Sequence, residues 1–340
     1  MKKALISGIT GQDGSYLAEL LITKGYDVYG TQRRTSTITT ERIDHIFESD
    51  NKKTFYADLA DANSLINVLL KVKPDEVYNI GSMSHVRISF EIPENTAQVT
   101  GVGALRWLEA LHSLGMTNVK YYQASSSEMF GISPPPQNEN TPMLPQSPYG
   151  CAKLFAYHIT KVYRVGYGMF ACNGILFNHE GERRGMNFVT QKIVYAAVRI
   201  KLGKLDKIKL GNLDAKRDWG FAGDYMEGVY RIMQHSVPDD FVLATSEQYS
   251  VREFAEKVFN QLGLNFYDYV VFDNAFTRPN EVPSLMGDST KARTILGWKP
   301  EVTFEGLVDR MIKGAWDNVR NNTQRLAFSE GWKYSRYTQG

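Results

Sequence analysis

The sequence is poor in the residues that build metal centres and disulfide frameworks. Cys151 and Cys172 are the only cysteines in 340 residues, and the six histidines are scattered with no pair at helical ligand spacing. No disulfide scaffold and no protein-ligated metal is therefore expected, and both thiols read as buried core residues. Charge of one sign is also lacking, since 39 basic against 37 acidic side chains leave +2. Bulk charge thus argues against nucleic acid or an acidic membrane as partner. No apolar run reaches the ~18 residues of a membrane span. The opening Met1-Lys2-Lys3 looks like the start of a signal peptide, but its apolar stretch stops at Gly8, short of what secretion needs. The expected location is cytoplasmic, with no membrane association.

What is present is a chain with 43% hydrophobic and 22% charged residues, close to the globular average. Its length suggests about two units. Short apolar runs at 3–7, 27–30, 53–56, 76–80, 119–124 and 171–177 alternate with helical periodicity at 16–21, 62–72 and 101–114. Strands spaced by helices predict an α/β fold with a doubly wound parallel sheet. Six of the twelve prolines fall between Ser133 and Pro148, which predicts a surface loop before a long helix beginning near Tyr149. From residue 178 the pattern loosens into a smaller mixed α/β lobe, with helices at 188–202, 225–234 and 304–319. Ser250 with Glu253 predicts a capping box. The expected division is 1–177 and 178–340, with some later segments returning to the first unit.

Gly8, Gly11 and Gly14 form G-x-x-G-x-x-G between the first strand and helix. There a dinucleotide pyrophosphate can rest on the helix N-terminus with no Cβ in the way. Thr10, Gln12 and Asp13 lie inside that turn. The end of the second strand holds an acidic residue when the ribose hydroxyls are free and a basic one when a 2′-phosphate is present. Gln32-Arg33-Arg34 stands there, so NADP is expected rather than NAD. Asp58, with Leu59 beside it, is placed for the adenine, and Gly81, Ser82 and Ser84 for the nicotinamide ribose.

Tyr149 and Lys153 are four residues apart and share one helix face. A lysine ammonium beside the phenol stabilises phenolate and lowers the tyrosine pKa. The pair suits removal of a hydroxyl proton as hydride leaves the same carbon. In the second lobe, Arg217 and Arg278 suit bidentate contacts to a diphosphate. Glu281 can accept from ribose hydroxyls, and Ser84, Asn178 and Lys192 are further candidate ligands.

With the glycine turn, the Tyr149/Lys153 pair resembles the extended short-chain dehydrogenase/reductase superfamily over nearly the whole chain, implying a Rossmann fold. The strings from Gly8 to Leu17, Ser84-His85-Val86, Asn173 to Glu180, Arg183-Arg184-Gly185, Arg217-Asp218-Trp219-Gly220 and Arg278-Pro279-Asn280-Glu281 resemble the GDP-mannose 4,6-dehydratase family. The resemblance implies Ser126 as the substrate hydroxyl contact and Glu128 as the carboxylate that distinguishes dehydratases from epimerases and reductases. It implies GDP-mannose as substrate, GDP-4-keto-6-deoxymannose as product, and a hydro-lyase that recycles its cofactor. It also places His179 and Arg184 at the nicotinamide end, and carries the loop Arg34-Thr35-Ser36 to a neighbouring subunit, most often in a tetramer. Ser126 stands where many members have threonine and Asn95 where an aromatic residue is common, and the Pro134-Pro135-Pro136 run is unlike typical members. An epimerase or 4-keto reductase on the same fold stays open as an alternative, as does a non-catalytic NADP sensor.

Overall fold

The computed structural model describes residues 1–47, 53–276 and 279–320. Its centre is a seven-stranded parallel sheet of β1 (Lys3–Ser7), β2 (Asp27–Gln32), β3 (Thr54–Tyr56), β4 (Glu76–Asn79), β5 (Lys120–Ser126), β6 (Ala171–Leu176) and a seventh strand, Asp240–Leu243. The spatial order is seventh, β6, β5, β4, β1, β2, β3. Every pairing is parallel, so the chain crosses over a face between strands, with helices between β1 and β2, β3 and β4, β4 and β5, and β5 and β6, and the central strands are buried on both sides.

The helices Gln12–Thr23 and Ala222–Gln234 cover one face through Leu17, Leu21, Met226, Val229 and Ile232. Ala62–Val72, Gly103–Ser113 and the long helix Pro148–Tyr167 cover the other. That long helix starts sharply because the Ser147 side chain accepts from Gly150 N and Pro148 occupies the first turn; Gly168, at φ 65°, ends it.

Three further helices, Val189–Lys201, Val251–Gln261 and Phe304–Arg320, pack around Ile193, Phe254, Val258, Leu307 and Met311 to form a second core. The capping box at Ser250 and Glu253 is present. Among the described residues, no helix is long and apolar enough to cross a membrane, and no three acidic, histidine or cysteine side chains gather to hold a metal.

Three expectations need correction. Cys151 is exposed, whereas Cys172 is buried; on its helix Tyr149, Gly150, Ala152 and Lys153 take the inner face and turn Cys151 outward. The proline-rich loop is not confined to the surface. Gln137 is fully buried, with its backbone and side chain bonded to Met286, Asp288 and Ser133, so an inserted loop satisfies its polar groups against the 284–288 segment. The helix expected at 101–114 begins as a π segment, Ala97–Val102, before Gly103–Ser113.

Candidate active site

The carboxyl ends of the strands open into one cavity of about 1080 Å³. That exceeds the usual ~300–1,000 Å³ of a single-ligand pocket and leaves room for two ligands side by side. The glycine turn forms one wall. Gly8 has φ +79°, and a Cβ on it would lie 2.9 Å from Gly81 Cα; a Cβ on Gly14 would collide with the Gly8 carbonyl oxygen. No side chain fits at Gly8 or Gly14, which leaves the backbone at the N-terminus of Gln12–Thr23 open to a pyrophosphate, so the cradle fits a dinucleotide.

Lining this cavity are Gly8, Thr10, Gly11, Gln12, Asp13, Gly14, Arg33, Asp58, Leu59, Gly81, Ser82, Ser84, Ser126, Glu128, Tyr149, Lys153, Asn178, His179, Arg184, Lys192, Arg217 and Glu281. Arg34 is exposed and does not line it, and Asn95 is exposed outside it as well. Arg278 lies outside the described residues.

At the centre, β5 ends at Ser126 and turns through Ser127–Met129, with the Ser126 hydroxyl accepting from Glu128 N at 3.2 Å. This short turn presents Ser126 and Glu128 to the same space. Tyr149 is anchored by its own N–H donating to Ser89 Oγ at 3.3 Å, and its phenol shares a hydrogen bond with Ser126. Lys153 Nζ donates to Ala124 O at 2.6 Å and lies 5.7 Å from the centre of the Tyr149 ring.

In the protein alone the tyrosine pKa is not lowered. Burial pushes the Tyr149 phenol up to about 12, against the Ser126 hydrogen bond, and burial brings the Lys153 ammonium down to about 8. Desolvation, which spacing along a helix does not reveal, is the largest influence on both groups.

A second cluster joins the glycine turn to the strand Asn178–Glu180. Both ring nitrogens of His179 face acceptors, Asp13 Oδ2 at 2.9 Å and Phe177 O at 2.7 Å. A carbonyl and a carboxylate can only accept, so both contacts are satisfied together by the imidazolium form, which donates at both nitrogens. Burial opposes that charge, but the Asp13 carboxylate overrides it and raises the His179 pKa. Burial would also raise Asp13, yet His179 and Gln12 hold it down to about 2. Asp13 and His179 thus reach the cavity as a neutralised pair rather than as two independent ligands.

Arg184 pairs with Glu180 at 3.0 Å and lies over the Phe188 ring at 3.6 Å. In the second lobe Arg217 is buried, bonded to the carbonyls of Lys216 and Val282 at 2.9 Å each. Lys192 donates to Lys209 O at 2.7 Å. Sequence reasoning missed Arg42, which also lines the cavity; it belongs to no strand or helix, and its one local sign is a further arginine after Arg33 and Arg34.

Residues 5–311 match the sequence model of the GDP-mannose 4,6 dehydratase family. GDP-mannose 4,6 dehydratase 2 of Arabidopsis thaliana is 55% identical over 320 residues, covering 92% of this chain and 86% of its own. GDP-mannose 4,6 dehydratase of Homo sapiens is 48% identical over 344 residues, covering 94% and 92%. Among solved structures, Thermus thermophilus UDP-glucose 4-epimerase in complex with NAD superposes with a TM-score of 0.81 at 22% identity over 92% of this chain and 98% of that one. RMD from Pseudomonas aeruginosa complexed with NADPH gives 0.79 at 20% identity over 94% and 100%. The superpositions agree with the parallel sheet and its crossovers, and the family match and the two relatives extend over nearly the whole length: the chain belongs to the GDP-mannose 4,6-dehydratase family.

Proposed function

We propose that the chain converts GDP-mannose to GDP-4-keto-6-deoxymannose by oxidation at carbon 4, elimination of water across carbons 5 and 6, and reduction at carbon 6. The observation that carries this reading is Glu128 in one cavity with Ser126, Tyr149 and Lys153. An epimerase or a simple reductase has no need of that carboxylate.

NADP would be held by the glycine turn, Arg33, Asp58, Leu59, Gly81, Ser82, Ser84 and Arg184; when bound it accepts hydride from carbon 4 and returns it to carbon 6. The residues do the rest. Tyr149 Oη takes the proton of the 4-hydroxyl while Ser126 holds the same oxygen, and the Lys153 ammonium stabilises the phenolate. Once carbon 4 is a ketone, the hydrogen on carbon 5 is acidic. Glu128 takes it and delivers a proton to the departing 6-hydroxyl, so water leaves and the carboxylate is restored. Reduction at carbon 6 then leaves an enolate over carbons 4 and 5, and the proton Tyr149 took from the 4-hydroxyl is returned to it, ending on carbon 5 and restoring the tyrosine. Arg217 and Lys192 face the diphosphate, and Glu281 and Asn178 the rest of the sugar nucleotide, with Arg278 assigned there from the sequence.

On this reading residues 1–177 hold the cofactor and 178–340 mainly the sugar nucleotide. The working form is a cytoplasmic homo-tetramer in which the loop Arg34–Ser36 serves a neighbour's cofactor; the exposure of Arg34 away from its own cavity supports that assignment.

Purified protein given GDP-mannose should yield a product one water lighter by mass, without NADPH accumulating. Stoichiometric NADPH release would indicate a dehydrogenase instead. Glu128→Gln should retain NADP binding and lose about 10²–10⁴-fold in turnover; full activity would remove Glu128 from the elimination.

A further inference from the structure

His85 lines the cavity and has no part in the mechanism above. It heads the four-residue helix Val86–Ser89, a place where Asn, Asp, Ser or Thr usually caps. Its Nδ1 takes the capping role, accepting from Ile88 N at 3.2 Å. Its Nε2 lies 3.3 Å from Asn187 O, 102 positions along the chain. A ring nitrogen that accepts an N–H carries no proton of its own, and a carbonyl can only accept. Both contacts are therefore satisfied together by the neutral ring with its proton on Nε2, the opposite state to His179. With its one lone pair occupied, His85 is no general base in this arrangement. A shorter cap would satisfy Ile88 N as well but would not span to Asn187, so reach is what the imidazole adds.

Each end of that bridge leads to the chemistry. On one side, Ser89 N donates to His85 O at 3.1 Å and Ser89 Oγ to Val86 O at 2.6 Å, while the same Oγ accepts from Tyr149 N at 3.3 Å. The turn that His85 caps thus holds the start of the helix that carries Tyr149 and Lys153. On the other side, the imidazole lies 5.5 Å from the Phe188 ring, over which the Arg184 guanidinium sits at 3.6 Å. Phe188 heads the helix Val189–Lys201, and its carbonyl accepts from Lys192 N at 2.9 Å.

We propose that His85 is a positioning residue: its Nδ1 sets Tyr149 through Ser89, and its Nε2 fastens the 185–188 loop that leads into Lys192. One side chain then aligns the proton acceptor with the sugar nucleotide. This rests on the functional reading above and adds to it a residue that acts only through others.

Three variants separate the two ends. His85→Asn keeps a side-chain oxygen for Ile88 N and loses the reach to Asn187, His85→Ala loses both, and Ser89→Ala removes only the contact to Tyr149 N. In steady-state kinetics, His85→Asn should raise KM for GDP-mannose roughly two- to tenfold, the size of one lost neutral hydrogen bond, with kcat kept within about twofold. His85→Ala should add to that KM rise a kcat lowered roughly ten- to hundredfold, as for a displaced reacting group, and Ser89→Ala should show the kcat loss alone. By isothermal titration calorimetry with NADP⁺ present, GDP should bind roughly two- to tenfold more weakly to both His85 variants, while NADP⁺ binds as to the unmodified chain. Equal kcat in His85→Asn and His85→Ala would overturn the link to Tyr149, and unchanged GDP affinity in His85→Asn would overturn the clasp to Asn187. A uniform loss that includes NADP⁺ affinity would make His85 a contact of the fold only, overturning the proposal. An unmodified chain that binds no GDP would sink the functional reading rather than this assignment alone.

Discussion

Lys153 carries a folding cost that its proposed part in stabilising the Tyr149 phenolate would explain. Its side chain is 3% exposed, and burial brings its pKa from 10.5 to about 8. Between those values the unfolded chain binds more protons than the folded one, so stability from this group rises with pH over that interval and is lowest below it. At neutral pH, below both values, the burden is on the order of 3 kcal/mol. Replacing the group should not strand its acceptor, because Ala124 O also receives the Gln123 amide at 3.0 Å. Lys153→Met is therefore expected to raise stability at pH 7 while abolishing turnover, and the gain should shrink toward pH 10. Urea unfolding at both pH values checks this; a less stable variant at pH 7 would mean that the ammonium's contacts outweigh its desolvation. The Tyr149/Lys153 spacing and the glycine turn were legible because each lies within a few residues of chain. The rise of Tyr149 to about 12 and the imidazolium of His179 were not, since both depend on burial and on partners brought from other elements.

Among the elements, the junction between the strands Lys216–Arg217 and Trp219–Phe221 depends on one carboxylate. Asp218 is fully buried and accepts from Thr245 N at 2.9 Å, Thr245 Oγ1 at 2.7 Å, Ser246 N at 2.9 Å and Gly287 N at 3.2 Å. All four are donors, so an amide at this position would set its NH₂ against an N–H or hydroxyl. Asp218→Asn should lose roughly 2–4 kcal/mol of stability. It should also raise KM for GDP-mannose more than it lowers kcat, because Arg217 is the next residue along the chain. Chemical denaturation and steady-state kinetics read the two effects, and wild-type values for both would show that the junction is held by other contacts. Sequence periodicity located most elements to within a few residues; Ala62–Val72 matches its expected bounds. It was silent on this junction because the bonded partners lie 27 to 69 positions apart. The same blindness explains the proline-rich loop, where proline content excludes regular structure but does not reveal that Gln137 is buried against Met286.

For the whole molecule, the two-lobe expectation meets a chain that crosses back. The boundary at residue 177 follows the point where the pattern loosens, yet the seventh strand, Asp240–Leu243, pairs with β6 from Asn173 to Leu176. The helix Ala222–Gln234 also returns, burying Met226, Val229, Ile232 and Met233 in the same core as Leu17 and Leu21. Cutting the chain after residue 177 would expose the backbone edge and apolar face of β6, which is buried throughout. It would also uncover the inner side of Gln12–Thr23, the helix whose N-terminus forms the cofactor cradle. Each Leu, Ile, Val or Met left unburied forfeits about 1.5–3 kcal/mol, and several such losses consume the ~5–15 kcal/mol by which a domain is stable. A fragment of residues 1–177 is therefore expected to lack a cooperative thermal transition and to bind no NADP⁺, while the full chain unfolds in one step that NADP⁺ shifts upward. Calorimetry on both proteins decides it. A folded, NADP⁺-binding fragment would mean that six strands suffice and that the returning helix and strand serve only the sugar-nucleotide lobe.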